Sequence, residues 1–142
     1  MSYNIEQSNS GYLSLAAAGL AAGTNTGTFK TAATLPFVSN GIFKSKSATD
    51  NLTFSTSTAL AANQACLFAV WINAAGTVTT TQGPIVASGD PCPVPSQSTA
   101  GTSLVGLIKV VTTAVFTPGT TALGTGNTAT YLDCMDMPGS AQ

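Results

Sequence analysis

Short runs of alternating apolar and polar residues, separated by turn residues, dominate the chain from Thr28 onward. Such runs are typical of β-strands, and their recurrence every 8–12 residues or so is typical of sandwiches and barrels. Helical periodicity never extends beyond a few turns. The pattern therefore predicts an all-β domain of about seven to nine strands.

Two runs predict the centre of the sheet. Cys66–Asn73 reads CLFAVWIN, is the most apolar stretch, and favours a central strand buried on both faces. Leu104–Thr113 predicts a second core strand, in which Gly106 indicates a bulge or a close backbone approach. Asn73–Gly76 is expected to close a hairpin onto a threonine-rich strand, and Thr128–Met135 is expected to form the last strand.

Turn residues predict the remaining boundaries. Phe29–Val38 is interpreted as one extended run, followed by the two-residue turn signal Asn40-Gly41. Ile42–Lys46 then forms a strand that carries both of its lysines on one face, and Asp50-Asn51 is expected to make the next turn. The four prolines within Gly83–Ser103 predict a long, stiff, extended loop.

The first 27 residues lack a strong period and predict an N-terminal arm, with residues 28–142 as the β-sandwich domain. One helical turn is expected around residues 13–22. No Lys or Arg precedes that apolar stretch, so a secretory signal is not expected, and the stretch is too short to span a bilayer. The predicted interface residues are the apolar anchors of this arm: Tyr3, Ile5, Tyr12, Leu13 and Leu15.

Charged side chains are scarce. The 142 residues contain four lysines and five carboxylates, with no arginine and no histidine. Without imidazole, a Ser-His-Asp or Cys-His catalytic device is excluded, so we expect no enzyme activity and no catalytic residues. Four lysines are too few for a phosphate-binding surface or a basic membrane patch, so neither nucleic acid nor membrane is an expected partner. We also expect no cofactor.

The cysteines and aspartates, which are the other side chains that could bind a metal or act in catalysis, are expected to have structural roles. Three scattered cysteines, without C-x-x-C spacing, predict neither a zinc site nor a disulfide framework, and at least two are expected to be buried. The four aspartates are expected to cap turns or face solvent. These residues are Cys66, Cys92 and Cys134, and Asp50, Asp90, Asp133 and Asp136.

An uncharged Ser/Thr/Ala/Gly surface loses little hydration free energy when another protein covers it. The composition therefore favours a subunit of a large assembly. A receptor-binding or carbohydrate-binding module of a phage tail or fibre is the alternative, with Trp71, Tyr131 and the proline-rich loop as its ligand face. The apolar neighbours of Trp71 favour a core position instead. A secreted adhesin or pilin-like subunit is a further alternative that fits the composition. The lack of an expected secretory signal and of a disulfide framework disfavours it.

Four segments in this order resemble small virion proteins of tailed bacteriophages, in particular their capsid cement, or decoration, proteins, those of Bordetella phages among them. The segments are Phe37–Phe54, Val70–Thr79, Gly106–Thr112 and Phe116–Leu123. The resemblance covers most of the chain after Thr28. It implies a jelly roll or a related antiparallel β-sandwich, made in the host cytoplasm and placed on the outside of an icosahedral head. The implied partners are the major capsid protein and further copies of the chain, as a dimer or trimer.

Overall fold

The computed structural model describes residues 12–134 except Thr56 and Ser98. Within this part of the chain all regular structure is β-strand, and all strand pairs are antiparallel. The strands are β1 Tyr12–Ser14, β2 Leu20–Ala22, β3 Thr28–Thr31, β4 Leu35–Ser39, β5 Ile42–Lys46, β6 Thr49–Thr53, β7 Gln64–Asn73, β8 Val78–Gln82, β9 Val86–Ala87, β10 Thr102–Thr112 and β11 Asn127–Asp133.

Three sheets build a sandwich-like arrangement. The large sheet has the order β11-β10-β7-β8, and β9 also pairs with β7. The two smaller sheets have the orders β1-β4-β5 and β2-β3-β6. The predicted all-β antiparallel sandwich is confirmed, and the arrangement is compatible with a jelly roll.

The core lies where the three sheets meet. Phe68 and Ile108 of the large sheet pack in one buried cluster with Phe29 of β3 and Phe37 of β4. Phe54 joins them, with ring centroids 5.1 Å from Phe29 and 4.9 Å from Phe68. Tilted and edge-on contacts at these distances suit the quadrupoles of aromatic rings. The two smaller sheets therefore share one apolar interior with the large sheet.

The central strands lie where the sequence predicts them. β7 contains the whole Cys66–Asn73 run. Its core face is buried from Cys66 to Ile72, whereas on the other face Ala69 is buried and Leu67 and Trp71 are half-buried. Its neighbour β10 has a register shift between Leu104 and Gly106, which confirms the predicted bulge. A Cβ on Gly106 would lie 2.5 Å from the Leu132 carbonyl oxygen and 2.5 Å from Leu20 Cδ1. Glycine is therefore required there because two neighbouring strands leave no room for a side chain.

The structure corrects three local predictions. The helical turn expected at 13–22 is wrong, because β1 pairs with β4 and β2 pairs with β3. The single run expected over Phe29–Val38 is two strands in different sheets. The turn expected at Asp50-Asn51 is wrong as well. Asn51 has the positive φ of 56° that favours a turn, but it lies inside β6, next to an irregular register with β3.

Two further segments contain strands that the sequence did not predict. The loop expected over Gly83–Ser103 contains the short strand β9, and β10 begins before the loop was expected to end. Residues 12–27, which are part of the predicted N-terminal arm, supply β1 and β2 to the sheets. They are fastened by Ser14 Oγ, which donates to Leu104 O at 2.6 Å, and by Leu20 N, which donates to Asp133 Oδ1 at 3.1 Å. Each short strand is therefore joined to the large sheet as well as to its neighbour in its own small sheet.

Candidate protein-binding surface

The β4–β5 hairpin turns sharply at Asn40-Gly41, as the sequence predicts. Both residues have positive φ, 52° and 75°. This is the geometry of a type I′ turn, in which asparagine and glycine are the preferred residues. The two-residue loop pairs Ser39 with Ile42, and the same register continues to Leu35 and Lys46. The turn therefore fixes which face of β5 each side chain occupies.

β5 is an edge strand with unusually exposed apolar side chains. No second neighbour pairs with it among the described residues, and β4 is buried along almost its whole length. Ile42 is 60% exposed and Phe43 is 77% exposed. Two adjacent apolar side chains at this exposure, on an edge that no other described strand covers, are candidate contacts for another protein. We refer to Ile42–Lys46 as the β5 edge.

The two faces of the β5 edge differ in chemistry. Lys44 is paired with the core residue Phe37, so Ile42, Lys44 and Lys46 share the inward face of this sheet at its rim. Lys44 Nζ donates a hydrogen bond to Ala74 O at 2.8 Å, in the turn after β7. Phe43 points to the opposite face. The edge thus combines an apolar side with a basic side.

The free side of β5 also presents backbone groups. In a two-residue hairpin the pair that closes the turn is hydrogen-bonded, and hydrogen-bonded pairs then alternate along the strands. Ile42, Lys44 and Lys46 therefore direct their N–H and C=O groups to β4, while Phe43 and Ser45 direct theirs away from it. Pro36, which has no N–H, is paired with Ser45, in agreement with this alternation.

The predicted arm residues occupy different positions. Tyr3 and Ile5 lie outside the described residues. Tyr12 is 40% exposed in β1, while Leu13 and Leu15 are half-buried. Leu13 is paired with Val38, which in turn is paired with Phe43. These three side chains form one apolar row across the sheet, and only its Phe43 end is strongly exposed.

Ile42 and Phe43 are interface candidates that the sequence did not reveal. The predicted strand carries both lysines on one face, which implies that Phe43 points to the other face. An apolar residue in an alternating strand is ordinarily buried, however. Only the strand order shows that β5 lies at an edge, and strand order depends on segments far apart in the sequence.

The two aromatics of the alternative ligand face do not form one platform. Tyr131 is paired with Ile108, on the core side of the large sheet. Trp71 alternates with the core residues Val70 and Ile72 and therefore lies on the opposite side. The polar atoms Trp71 Nε1 and Tyr131 Oη are both buried without a hydrogen-bond partner. Neither ring is a freely exposed stacking surface.

The proline-rich segment packs against the outer side of the large sheet. A Cβ on Gly83 would lie 2.9 Å from Pro93 O and 3.3 Å from Pro95 Cδ. Gly83 continues the row of Thr81, which is paired with Ala69 on the same side as Trp71. Pro95 is buried, while Val94 is 60% exposed. The segment thus covers part of that side with a stiff backbone, rather than projecting as a free binding loop.

The Asp50 carboxylate is held by hydrogen bonds from Thr24. The Thr24 hydroxyl and the Thr24 N–H both donate to the Asp50 carboxylate, and these hydrogen bonds lower the pKa of Asp50.

None of the three cysteines forms a disulfide, and Cys66 is the buried one, with Cys92 and Cys134 half-buried. Across the described residues no group of three or more Cys, Asp or Glu side chains is arranged to hold a metal ion.

Comparison of the chain with protein-family models, with curated proteins and with solved structures gives no match. Within residues 12–134, apart from the two omitted positions, no helix has the length and apolar character needed to cross a membrane. The candidate site is therefore assigned from its geometry: an exposed apolar and basic strand edge on a protein with very few other charges.

Proposed function

We propose that the chain is a structural virion protein. It binds the outside of an icosahedral phage head and stabilises contacts between major capsid subunits, and it binds further copies of itself as a dimer or trimer. The observation that carries the proposal is the β5 edge, where Ile42 and Phe43 are 60% and 77% exposed. The order of the sequence segments that resemble capsid cement proteins supports the same function.

Low charge makes such binding favourable. A side chain that is not ionised loses little hydration when it is covered, and only nine of the 142 residues are ionised at neutral pH. Burying one exposed phenylalanine contributes about 2 kcal/mol. Many copies of this modest contact on one shell would resist internal pressure collectively, because an opening anywhere in the shell must break several linked contacts together.

The first test is copy number. Quantitative mass spectrometry of purified virions is expected to find the chain in hundreds of copies, bound to the head. Mild heating that releases the chain is expected to leave heads that leak DNA. A handful of copies located at the tail would contradict the proposal and favour the receptor-binding or carbohydrate-binding module instead.

The second test compares two strongly exposed apolar residues. Phe43→Ser is expected to weaken binding to heads that lack the protein by about tenfold or more, as for an aromatic residue at the centre of an interface. Val115→Ser is the control, because Val115 is 64% exposed but lies far from β5 in the sequence and outside the named strands. Sedimentation of labelled protein with heads measures both. Equal binding by the two variants would show that the β5 edge is not part of the interface.

A further inference from the structure

We infer that the β5 edge receives an extended, acidic segment of another protein as an added β-strand. The inference depends on the proposed function only for the natural source of that segment. Its first support is the free backbone of Phe43 and Ser45, whose N–H and C=O groups point away from β4. Exposed edges of this kind bind peptides by continuing the hydrogen-bond ladder, with side-chain pockets giving specificity.

Charge identifies the occupant. The β5 edge carries Lys44 and Lys46, half of the four lysines of the chain, and no carboxylate. The two lysines lie two residues apart and therefore on one face of the strand. A partner strand with carboxylates at the same spacing would place one opposite each lysine. Opposite charges across a strand pair are favourable, and like charges are unfavourable.

The same charges disfavour a second copy as the occupant. An antiparallel β5–β5 pair that aligns all five residues has its two-fold axis at Lys44. It places Lys44 opposite Lys44 of the other copy and Ile42 opposite Lys46 of the other copy. Lysines at an exposed edge ordinarily prevent such self-pairing. The edge therefore discriminates against its own sequence while remaining open to an acidic strand.

Phe43 indicates which side chains the added strand carries on its other face. It lies opposite to the lysines and ends the apolar row that begins at Leu13. An incoming strand that alternates carboxylates with β-branched residues would set its carboxylates beside the lysines and an aliphatic side chain beside Phe43. The recognised segment is thus an alternating acidic and aliphatic strand.

The test uses two blocked heptapeptides of threonine and valine, one with two glutamates two residues apart and one with lysines at the same positions. Amide hydrogen exchange followed by NMR is the readout. With the glutamate peptide, exchange at Phe43 and Ser45 is expected to slow at least tenfold. Ile42, Lys44 and Lys46 are expected to change little, since β4 already protects them. The lysine peptide is expected to bind about threefold to tenfold more weakly, because exposed ion pairs are individually modest.

Two variants make the test specific. Ser45→Pro removes an outward N–H that β4 does not use, so it is expected to leave the fold intact and to abolish binding of the glutamate peptide. Ser45→Ala is the matched control and is expected to bind normally. The double variant Lys44→Glu and Lys46→Glu is expected to reverse the preference, so that the lysine peptide binds more tightly.

Three results would overturn the inference. The first is unchanged exchange at Phe43 and Ser45 at millimolar glutamate peptide. The second is equal affinity for the two peptides. The third is protection of the same amides by self-association alone, which would identify a second copy as the occupant. Heads that still bind the Ser45→Pro variant would refute strand addition and leave the proposed function standing. Normal peptide binding by a chain absent from virions would refute the function alone.

Discussion

Cys66 shows how burial at one position affects the chemistry of a side chain. It lies near the start of β7 and is fully buried in the core cluster. Burial raises the pKa of the Cys66 thiol to about 11, because a thiolate would be poorly solvated there, and the hydrogen bond from Gln82 Nε2, 3.7 Å from Sγ, opposes this only in part. The thiol is therefore a packing group at neutral pH.

The raised pKa predicts a loss of stability in alkali. The folded protein keeps the Cys66 proton to about pH 11, whereas the unfolded chain releases it near the ordinary value of 9.0. The free energy of unfolding is therefore expected to hold below pH 9 and to fall between pH 9 and 11, by roughly 2–3 kcal/mol in total. Urea unfolding at a series of pH values measures this.

The Cys66→Ala variant is the control for this loss of stability at alkaline pH. Burial also raises the pKa of Tyr131, so part of the loss above pH 9 belongs to other groups. Those groups titrate in both proteins, and the difference between the two stability curves isolates Cys66. If the curves of the variant and the unmodified chain run parallel from pH 8 to 11, the Cys66 thiol does not contribute.

At the scale of single elements, the bulge in β10 is a place where three strands pack closely. Gly106 lies beside the Leu132 carbonyl of β11 and the Leu20 side chain of β2. A methyl group there would push against backbone on one side and against a core leucine on the other. Because the Leu132 oxygen belongs to a paired strand, it cannot move without disturbing the β10–β11 ladder.

Gly106→Ala is accordingly expected to lower the free energy of unfolding by about 1–3 kcal/mol, the usual cost of overpacking. Gly89→Ala is the matched control, since a Cβ on Gly89 would meet nothing within 4 Å and its φ lies outside the left-handed region. The control is expected to stay within about 0.5 kcal/mol of the unmodified chain. Urea unfolding midpoints compare them, and equal losses in both variants would show that close packing at Gly106 is not the cause.

Local sequence signals were enough to predict several elements. The Cys66–Asn73 run predicts β7 because its apolar and β-branched residues suit a strand buried on both faces, and Asn40-Gly41 predicts the hairpin because both positions need positive φ. Gly106 predicts the bulge for a different reason: a glycine inside an apolar strand indicates a bulge or a close approach of another backbone, and the close approach is what the structure shows. In the first two cases the residue types favour a local conformation, whereas for Gly106 the neighbouring strands impose the requirement.

Other features depend on distant neighbours and could not be predicted. Asn51 adopts the left-handed conformation that its residue type favours, but inside β6, where its side-chain oxygen accepts from Asn25 N at 2.7 Å. The chain changes sheets between β3 and β4 through three small residues that interrupt no periodic pattern. The exposure of Phe43 follows from strand order alone. The sequence therefore predicts that the surface binds protein, but not which residues bind.

At the scale of the whole molecule, hydrogen bonds between distant segments join the start of the described chain to its end. Ser14 donates to Leu104, 90 residues away, and Leu20 donates to Asp133, 113 residues away. Ala18 and Leu20 are also members of the core cluster. The residues before Thr28 are thus part of the folded domain wherever the structure describes them, although their composition resembles that of a flexible arm.

Two truncated chains test whether the residues before Thr28 belong to the folded domain or form a separable arm. A chain that begins at residue 12 keeps every described core residue and is expected to unfold cooperatively. A chain that begins at Thr28 lacks β1, β2 and Leu20, leaves Asp133 without its hydrogen-bond donor, and exposes Phe37 and Phe29 at new sheet edges. Loss of one buried leucine alone costs about 2–5 kcal/mol, and a domain of this size has only about 5–15 kcal/mol in total. We therefore expect the shorter chain to bind hydrophobic dyes and to show no cooperative transition in urea. A cooperative transition at the unmodified midpoint would show instead that the first 27 residues are a separable arm, as their composition predicts.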